Sequence, residues 1–313
     1  MRETIVFSTE SSAYFAKLVT KGMHAKTGEV QRKVFGDGEK YRRLEDDDRM
    51  AYFGKDIAVV ASIVTDDDLM EVLRLGSALA KSGARRIVYI IPFEAYTTME
   101  RAVKPNEFVT AEMVAQQLSQ LPRCDLRNCF LFLDLHTATF VHYFEGDCLR
   151  FELYSEAILA ETFKKLKLRN FMFASADLGR PRWVETFAKK FGTDLAFVRK
   201  TRDGESTQIH EVIGDVSGKK VVIYDDMTRS AKTLVKAADA YLERGAIEVH
   251  AIISHLALNG PEVIDFLENS SIKNIITTNS HPMSQHPAVA FSAKFIVKDV
   301  SSLFVEAAQK LLQ

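Results

Sequence analysis

The chain has 313 residues, of which 47% are hydrophobic and 27% charged, and its formal net charge at pH 7 is −1. This composition is typical of a globular protein with substantial cores, and the length suffices for two domains of ordinary size. The near-zero net charge excludes a global basic field for nucleic acid, and no apolar run reaches the ~18 residues that a membrane-spanning helix needs. The chain opens on an apparent strand rather than a signal peptide. Cys124, Cys129 and Cys148 fit neither a disulfide framework nor a zinc site, which indicates a reducing compartment, most simply the cytoplasm.

Helices and strands alternate along the chain. Amphipathic periodicity predicts helices at 11–22, 68–82, 110–120, 155–168, 182–191, 232–244 and 300–312. Short apolar runs between them predict buried strands. This alternation predicts an α/β fold with mostly parallel sheets.

A weak internal repeat relates the two halves of the chain. Residues 54–91 and residues 218–253 both read as a strand, a helix, the dipeptide Gly-Ala and a second strand. Gly83 and Gly245 fit the ends of the two helices. The repeat predicts two related α/β domains, although any two βαβ units could share such a pattern by chance. An interruption of the apolar pattern near 145–156 places the domains at 1–150 and 151–313, and the last helix is expected to pack on the first domain.

Residues 221–234 are the segment most informative about function. Val221–Tyr224 read as a buried strand, and Asp225 and Asp226 follow at once. Hydroxyl and basic residues then lead into a helix. The free amides of a first helical turn favour a phosphate, and the paired acids can hold sugar hydroxyls or a cation. For an Asp-Asp pair alone, the alternative is a helix N-cap in a surface turn.

Four other segments are candidates for chemistry. After a strand-like run, Asp134 and His136 could bind a metal or a nucleotide phosphate, or His136 could be a hydrogen-bonded turn residue. Asp177 also follows a predicted strand. Residues 199–206 are cationic and without periodicity, so they predict a loop that either closes over a polyphosphate or is simply solvated. Residues 35–39 predict a turn that presents two acids.

The order and content of these segments resemble the ribose-phosphate pyrophosphokinase family over nearly the whole chain. The motifs that carry the resemblance are Phe35–Glu39, Gly54–Asp56, Leu69–Glu71, Ile91–Phe93, Asp134–His136, Gly214–Val216, Asp225–Met227, Lys236–Ala238, Arg244–Ala246 and Gly260–Pro261. The resemblance implies two type I phosphoribosyltransferase-like domains, Mg²⁺, and assembly into homodimers or homohexamers. The implied reaction is attack by the anomeric hydroxyl of ribose 5-phosphate on the β-phosphorus of ATP, with AMP leaving and phosphoribosyl pyrophosphate as the product.

The resemblance also assigns roles to individual residues. On the ATP side these are Phe35, Asp37, Glu39 and His136, with the Phe35–Glu39 turn reaching a neighbouring subunit. Arg101 is expected to compensate there for an Arg-Gln pair of the family that this chain lacks. Metal binding falls to His136 and Asp177. The cations that stabilise the transition state are Lys200 and Arg202, for either of which Arg199 can stand in. Asp225 and Asp226 hold the ribose hydroxyls, and the phosphate segment comprises Thr228, Arg229, Ser230, Ala231, Lys232 and Thr233.

Several positions depart from the family pattern, and they cluster around ligands. Arg229 replaces an acid and Lys232 replaces a glycine in the phosphate segment; Thr98 and Met99 replace an Arg-Gln pair on the ATP side; and Arg180 replaces a glycine. Three functions therefore stay open. The chain makes phosphoribosyl pyrophosphate, or it acts on a larger substrate such as ADP-ribose, or it is a catalytically silent regulatory member. Retention of the acids and cations named above favours the two enzymatic functions.

Overall fold

Two mostly parallel β-sheets organise the chain, one in each of two units. The computed structural model describes residues 3–176, 181–203 and 206–312, without the side chains of 181–183, 200–203 and 206–210. The first unit consists of the chain up to Tyr154 and from Val300 onward, and the second unit is Ser155–Asp299. Within the described ranges, no helix combines the length and the hydrophobicity that crossing a membrane would require.

In the first unit, six parallel strands form a sheet in the order β2-β1-β5-β6-β7-β8, and β3 and β4 form a separate antiparallel hairpin. The strands are β1 Thr4–Ser8, β2 Lys26–Thr27, β3 Val30–Val34, β4 Lys40–Leu44, β5 Asp56–Val60, β6 Arg86–Ile91, β7 Cys129–Leu133 and β8 Leu149–Leu153. The helices are α1 Ala13–Met23, α2 Asp66–Lys81 and α3 Thr110–Ser119. Every residue of β5 and β7 is buried, as expected for central strands covered on both faces.

In the second unit, seven strands form a sheet in the order β11-β10-β9-β12-β13-β14-β15, parallel except for the antiparallel pair β10–β11. The strands are β9 Phe171–Ser175, β10 Leu195–Asp203, β11 Ser206–Ile213, β12 Lys220–Met227, β13 Glu248–His255, β14 Ile272–Thr278 and β15 Phe295–Lys298. The helices are α4 Glu156–Lys165, α5 Pro181–Phe191, α6 Lys232–Glu243, α7 Glu262–Glu268 and α8 Pro287–Ala290.

The last helix, α9 Ser301–Leu312, belongs to the first unit. Phe304 meets Phe15 of α1 edge to face, with ring centroids 5.6 Å apart. The Arg86 guanidinium of β6 donates to the Leu311 carbonyl near the end of α9. A ring contact at one end and a hydrogen bond at the other therefore fix α9 against this unit.

The internal repeat forms the same unit twice, as β5–α2–β6 and as β12–α6–β13, each with its two strands paired in parallel. Gly83 and Gly245 follow the two helices with φ of 80° and 92°, a left-handed conformation that only glycine adopts readily. The predicted α/β fold with mostly parallel sheets is confirmed, and the seven predicted helices are present as α1–α6 and α9.

One predicted feature is wrong. Residues 199–203, expected in a loop, lie on β10, and residues 206–213 form β11 beside it. The pair continues to the register Asp203↔Ser206. Residues 199–206 are charged or polar apart from one glycine and lack the apolar alternation that reveals a strand, so the pairing is visible only in the backbone hydrogen bonds of the structure.

Candidate functional site

The predicted ribose-phosphate residues come together where β12 ends and α6 begins. The β12 side chains from Val221 to Tyr224 are buried, and the pairing of β12 with β9 ends at Ile223↔Ala174. Asp225 and Asp226 therefore follow the last residue paired to β9, at the carboxyl edge of the sheet, where ligands of α/β proteins bind. The Asp226 amide donates to Asp225 Oδ1 at 2.9 Å. This bond orients the first carboxylate, while the second is 7% exposed.

The segment after the acids turns the chain into α6. Ala231, the N-cap of α6, has a left-handed φ of 56°, and no described side chain forms a capping hydrogen bond there. The first turn of α6 also contains no acidic residue. By contrast, Thr65 and Asp68 close a capping box on α2. The first-turn amides of α6 are therefore better placed than those of α2 to bind an anion.

Cationic and hydroxyl side chains surround this helix end. Arg229 and Lys232 are exposed, and Ser230 and Thr233 are half-buried. The Thr228 amide donates to the His255 carbonyl at 3.3 Å, and the Arg229 carbonyl accepts from the Asn259 amide at 3.3 Å. The junction of β12 and α6, residues 225–233, is therefore a strand-end acid pair followed by an anion-binding helix terminus. We refer to it as the β12–α6 junction.

A buried polar cluster supports the junction from β13 and β14. His255 Nδ1 lies 2.7 Å from Ser280 Oγ, and Thr278 Oγ1 lies 2.8 Å from the same hydroxyl. His281 Nδ1 accepts the Met283 amide at 3.1 Å. Burial, with a smaller contribution from the charge of His255, lowers the pKa of His281 to about 3, so His281 is neutral at pH 7.

None of these cluster residues is among the site residues predicted from sequence. The available signal was the run of Ser, Thr and His residues directly after two apolar strands. Because the His255 carbonyl holds the Thr228 amide, the cluster positions the start of the phosphate segment.

The predicted catalytic cations lie on a different element. Lys200 and Arg202 belong to β10, where they pair in register with Ile209 and Thr207 of β11. They therefore lie on a two-stranded ribbon rather than on a loop. Asp177, a predicted metal ligand, lies outside the described residues.

The predicted ATP-side residues occupy separate parts of the first unit. Phe35, Asp37 and Glu39 form the turn of the β3–β4 hairpin. The Phe35 amide donates to the Glu39 carbonyl at 2.8 Å, and the Glu39 amide donates to Asp37 Oδ1 at 3.0 Å. Phe35 is 42% exposed, with the Lys33 ammonium 5.1 Å from its ring centroid. The tip thus presents an exposed aromatic ring beside two acids.

Arg101 and His136 lie in loops of the same unit. Arg101 is exposed and forms an ion pair with Glu100, Nε to Oε1 at 3.5 Å. His136 is half-buried and follows β7. Before it, Asp134 is buried with a positive φ of 39°, and its amide donates to the Leu153 carbonyl at 3.0 Å. A strained, buried aspartate beside a strand end is a common feature of functional sites.

The loop after β6 carries an unexpected buried acid, Glu94. The Glu94 side chain is 4% exposed, and neither carboxylate oxygen has a hydrogen-bond partner among the described residues. Burial therefore raises its pKa well above the ordinary value. Two residues on, Tyr96 has a left-handed φ of 65°, and its hydroxyl donates to Asp66, which raises the Tyr96 pKa to about 12. The same loop contains Thr98 and Met99.

The donor set at the β12–α6 junction suits magnesium. Within the described ranges, no group of three or more His, Cys, Asp or Glu side chains forms a complete metal cage. Mg²⁺ usually retains several waters and binds through one or two carboxylates together with substrate phosphates. The adjacent carboxylates of Asp225 and Asp226 meet that requirement.

Comparison with known proteins gives consistent results over the whole chain. Residues 4–121 match the N-terminal domain of ribose phosphate pyrophosphokinase, and residues 200–313 match the phosphoribosyl synthetase-associated domain. The ribose-phosphate pyrophosphokinase of Helicobacter hepaticus is 31% identical, with 99% of this chain and 96% of the relative covered. The enzyme of that name from Chlorobaculum tepidum is 30% identical, with 98% and 91% covered.

A solved structure shares the fold. The crystal structure of phosphoribosylpyrophosphate synthetase from Mycobacterium smegmatis matches with a TM-score of 0.86 and 24% identity, covering 99% of both chains.

Proposed function

The chain belongs to the ribose-phosphate pyrophosphokinase family, and on this premise we propose that it transfers the β,γ-diphosphoryl group of ATP to the anomeric hydroxyl of ribose 5-phosphate. The products are phosphoribosyl pyrophosphate and AMP. The β12–α6 junction carries the proposal, because an acid pair soon followed by a helix N-terminus that no described side chain caps suits a sugar phosphate.

The ribose phosphate binds at this junction. Asp225 and Asp226 accept hydrogen bonds from the ribose hydroxyls. The first-turn amides of α6 and the Ser230 and Thr233 hydroxyls hold the 5-phosphate. The acids hold the ribose hydroxyls and the helix end holds the 5-phosphate. These two contacts together position the anomeric hydroxyl.

The reaction forms a bond between the anomeric oxygen and the β-phosphorus and breaks the bond from that phosphorus to the oxygen that leaves with AMP. The anomeric hydroxyl proton passes to solvent. Positioning and charge neutralisation accelerate such a transfer without a protein nucleophile. Lys200 and Arg202 supply positive charge to the transition state. Asp225 and Asp226, together with substrate oxygens, would hold Mg²⁺, which would supply further neutralisation of phosphate charge when bound.

The ATP side uses the first unit. Phe35 offers an exposed ring for the base, Asp37 and Glu39 accept hydrogen bonds beside it, and Arg101 and His136 contact the phosphates. We place the hairpin tip against ATP bound to another copy of the chain, in a homodimer or homohexamer.

Two exposed cations beside the proposed phosphate site favour a second, larger substrate. Arg229 and Lys232 flank a helix terminus that already attracts a phosphate. An extended 5-phosphate, as in ADP-ribose, offers an additional anionic group for them.

The test is incubation of the full chain with Mg-ATP and ribose 5-phosphate, ADP-ribose or unphosphorylated ribose, with AMP measured by chromatography and the product by ³¹P NMR. AMP and a new diphosphate ester should appear with a phosphorylated ribose and disappear with a magnesium chelator. Asp225→Asn should lose activity, whereas Glu243→Gln, an exposed position on α6, should retain it. No AMP with any ribose phosphate would refute the proposal.

A further inference from the structure

A cleft of about 210 Å³ lies between the β3–β4 hairpin and α2 in the first unit. Among the described residues, its walls carry four cations, Lys40, Arg42, Arg43 and Arg74, and one carboxylate, Glu71. Aliphatic side chains form the rest of the lining. A cleft of this charge and size suits a small anion with an apolar body.

The acids around the cleft leave much of this charge available. Glu71 Oε1 accepts from Arg32 Nε at 2.7 Å and lies 3.7 Å from Arg42 Nε, so one carboxylate serves two guanidinium groups. Lys40 pairs with Asp67, Nζ to Oδ1 at 2.6 Å, and Arg43 pairs with Asp47, but the Asp67 and Asp47 side chains are 76% and 96% exposed. Exposed ion pairs are screened by water and contribute little.

The buried guanidinium of Arg42 is a second observation in favour of an anion site in the cleft. Its side chain is only 15% exposed, and its Nε is buried without a hydrogen-bond partner among the described residues. Its Nη1 donates to the carbonyls of Tyr41 at 2.9 Å and Lys33 at 3.4 Å. Glu71 Oε1, at 3.7 Å, forms an ion pair with this Nε but is beyond hydrogen-bond distance, and an oxyanion in the cleft would supply the missing hydrogen bond.

We propose that this cleft binds a small phosphomonoester, with its phosphate between Arg42 and Arg74 and its apolar body against Val30 and Leu75. A dianionic phosphate matches several cations better than a monocarboxylate does. The lining residues come from the first unit, whereas the β12–α6 junction belongs to the second, and none of the proposed ATP-side residues lines the cleft, so it is distinct from both proposed substrate sites. The bound ligand ties the hairpin to α2 and reduces local opening of both elements.

The experiment is hydrogen–deuterium exchange on the full chain with and without phenyl phosphate, at constant ionic strength. Wild-type protein should show slower exchange in β3, β4 and α2. Arg74→Met, at an exposed position, and Arg42→Lys, which keeps the charge but loses the fork, should each raise the concentration for half-protection by about tenfold. Lys81→Met, an exposed position on the same helix outside the cleft, should leave it unchanged.

This readout is local and requires no turnover, so it is independent of the reaction proposed above. Phosphate binding at the β12–α6 junction would protect the start of α6 instead, and binding at the proposed ATP-side hairpin tip would protect the β3–β4 turn without depending on Arg74. The proposal fails if phenyl phosphate does not protect the hairpin and α2, or if both arginine variants retain wild-type protection. Equal protection by benzoate would overturn the assignment to a phosphate.

Discussion

In the proposed ribose-phosphate site, Arg229 and Lys232 are the residues that we expect to distinguish one phosphate from two. In this site the helix amides and the hydroxyls already bind a 5-phosphate monoester. The exposed cations beside it therefore act mainly on additional negative charge of the substrate. Arg229→Asp combined with Lys232→Gly should therefore lower kcat/KM for ADP-ribose more than for ribose 5-phosphate, by about tenfold in the ratio.

The matched control is Lys236→Ala, an exposed lysine one turn further along α6. Steady-state kinetics with both substrates give the two ratios. An unchanged ratio in the double variant would mean that the two cations form a solvated rim and do not read the substrate.

Burial of Glu94 disfavours the charged form of its carboxyl group. Because its folded-state pKa is raised, folding favours the protonated carboxyl. The stability that this carboxyl contributes is complete below its unfolded pKa and is lost as pH rises toward its folded pKa.

Glu94→Gln removes this dependence while nearly keeping the shape of the side chain. The variant's free energy of unfolding should exceed that of the wild type by an amount that grows from pH 5 to pH 8, by up to about 1.4 kcal/mol per pH unit. Urea denaturation at several pH values measures it, with exposed Glu112→Gln as the control for lost charge. A difference that does not vary with pH would contradict the prediction.

At the scale of elements, α7 shows how a short helix is held. It has seven residues, and Lys294 Nζ donates to the carbonyls of Leu267 and Glu268 at 2.8 Å and of Ser270 at 3.0 Å. These are carbonyls at and just beyond the end of the helix, which a cation stabilises.

Lys294→Met should therefore lower the free energy of unfolding by about 2 kcal/mol and speed amide exchange in α7. Lys310→Met, an exposed lysine on α9, should change neither. Wild-type exchange in α7 of the Lys294 variant would show that packing alone holds the helix.

The β10–β11 ribbon presents the two predicted catalytic cations. Lys200→Ala should leave the fold intact and reduce kcat by orders of magnitude, because it removes charge stabilisation present mainly in the transition state. Circular dichroism and single-turnover AMP release separate folding from chemistry. Lys219→Ala, a lysine before β12, is the control, and wild-type turnover in the Lys200 variant would rule out the role.

The elements differ in how well sequence reveals them. Long amphipathic helices such as α2 and α6, and apolar strands such as β7, follow directly from periodicity. The short helix α7 and the β10–β11 ribbon do not, because the helix has only seven residues and the ribbon residues 199–206 contain no apolar pattern.

Some features of the candidate site are likewise predictable from the sequence, and others are not. The acid pair and the helix that follows it were predictable from chemistry and order. The position of the left-handed backbone conformation was not predictable. Ala231 adopts this conformation, whereas the sequence directs the question to Lys232, the first residue of the helix, because it replaces a glycine of the family. The buried polar residues around His255 form contacts between strand ends distant in sequence, which no local pattern encodes.

At the scale of the whole molecule, we expect the proposed ATP site to need more than one copy of the chain. The hairpin tip at Phe35–Glu39 exposes an aromatic ring and two acids, groups that bind a nucleotide only when another surface completes the pocket. Light scattering should therefore show a homo-oligomer, and a fully active monomer would end this proposal.

Mixing two inactive variants tests the shared site directly. Asp37→Asn combined with Glu39→Gln disables the hairpin tip, and Lys200→Ala disables the ribbon, so each variant alone should be nearly inactive. If every site takes its tip from one copy and its ribbon from another, random mixed oligomers contain about one intact site in four, and activity returns to about a quarter of wild type. If both elements serve the same site within one chain, every site in the mixture keeps one defect and no activity returns. Activity measured after dissociation and reassembly of a one-to-one mixture, against each variant reassembled alone, decides between the two arrangements.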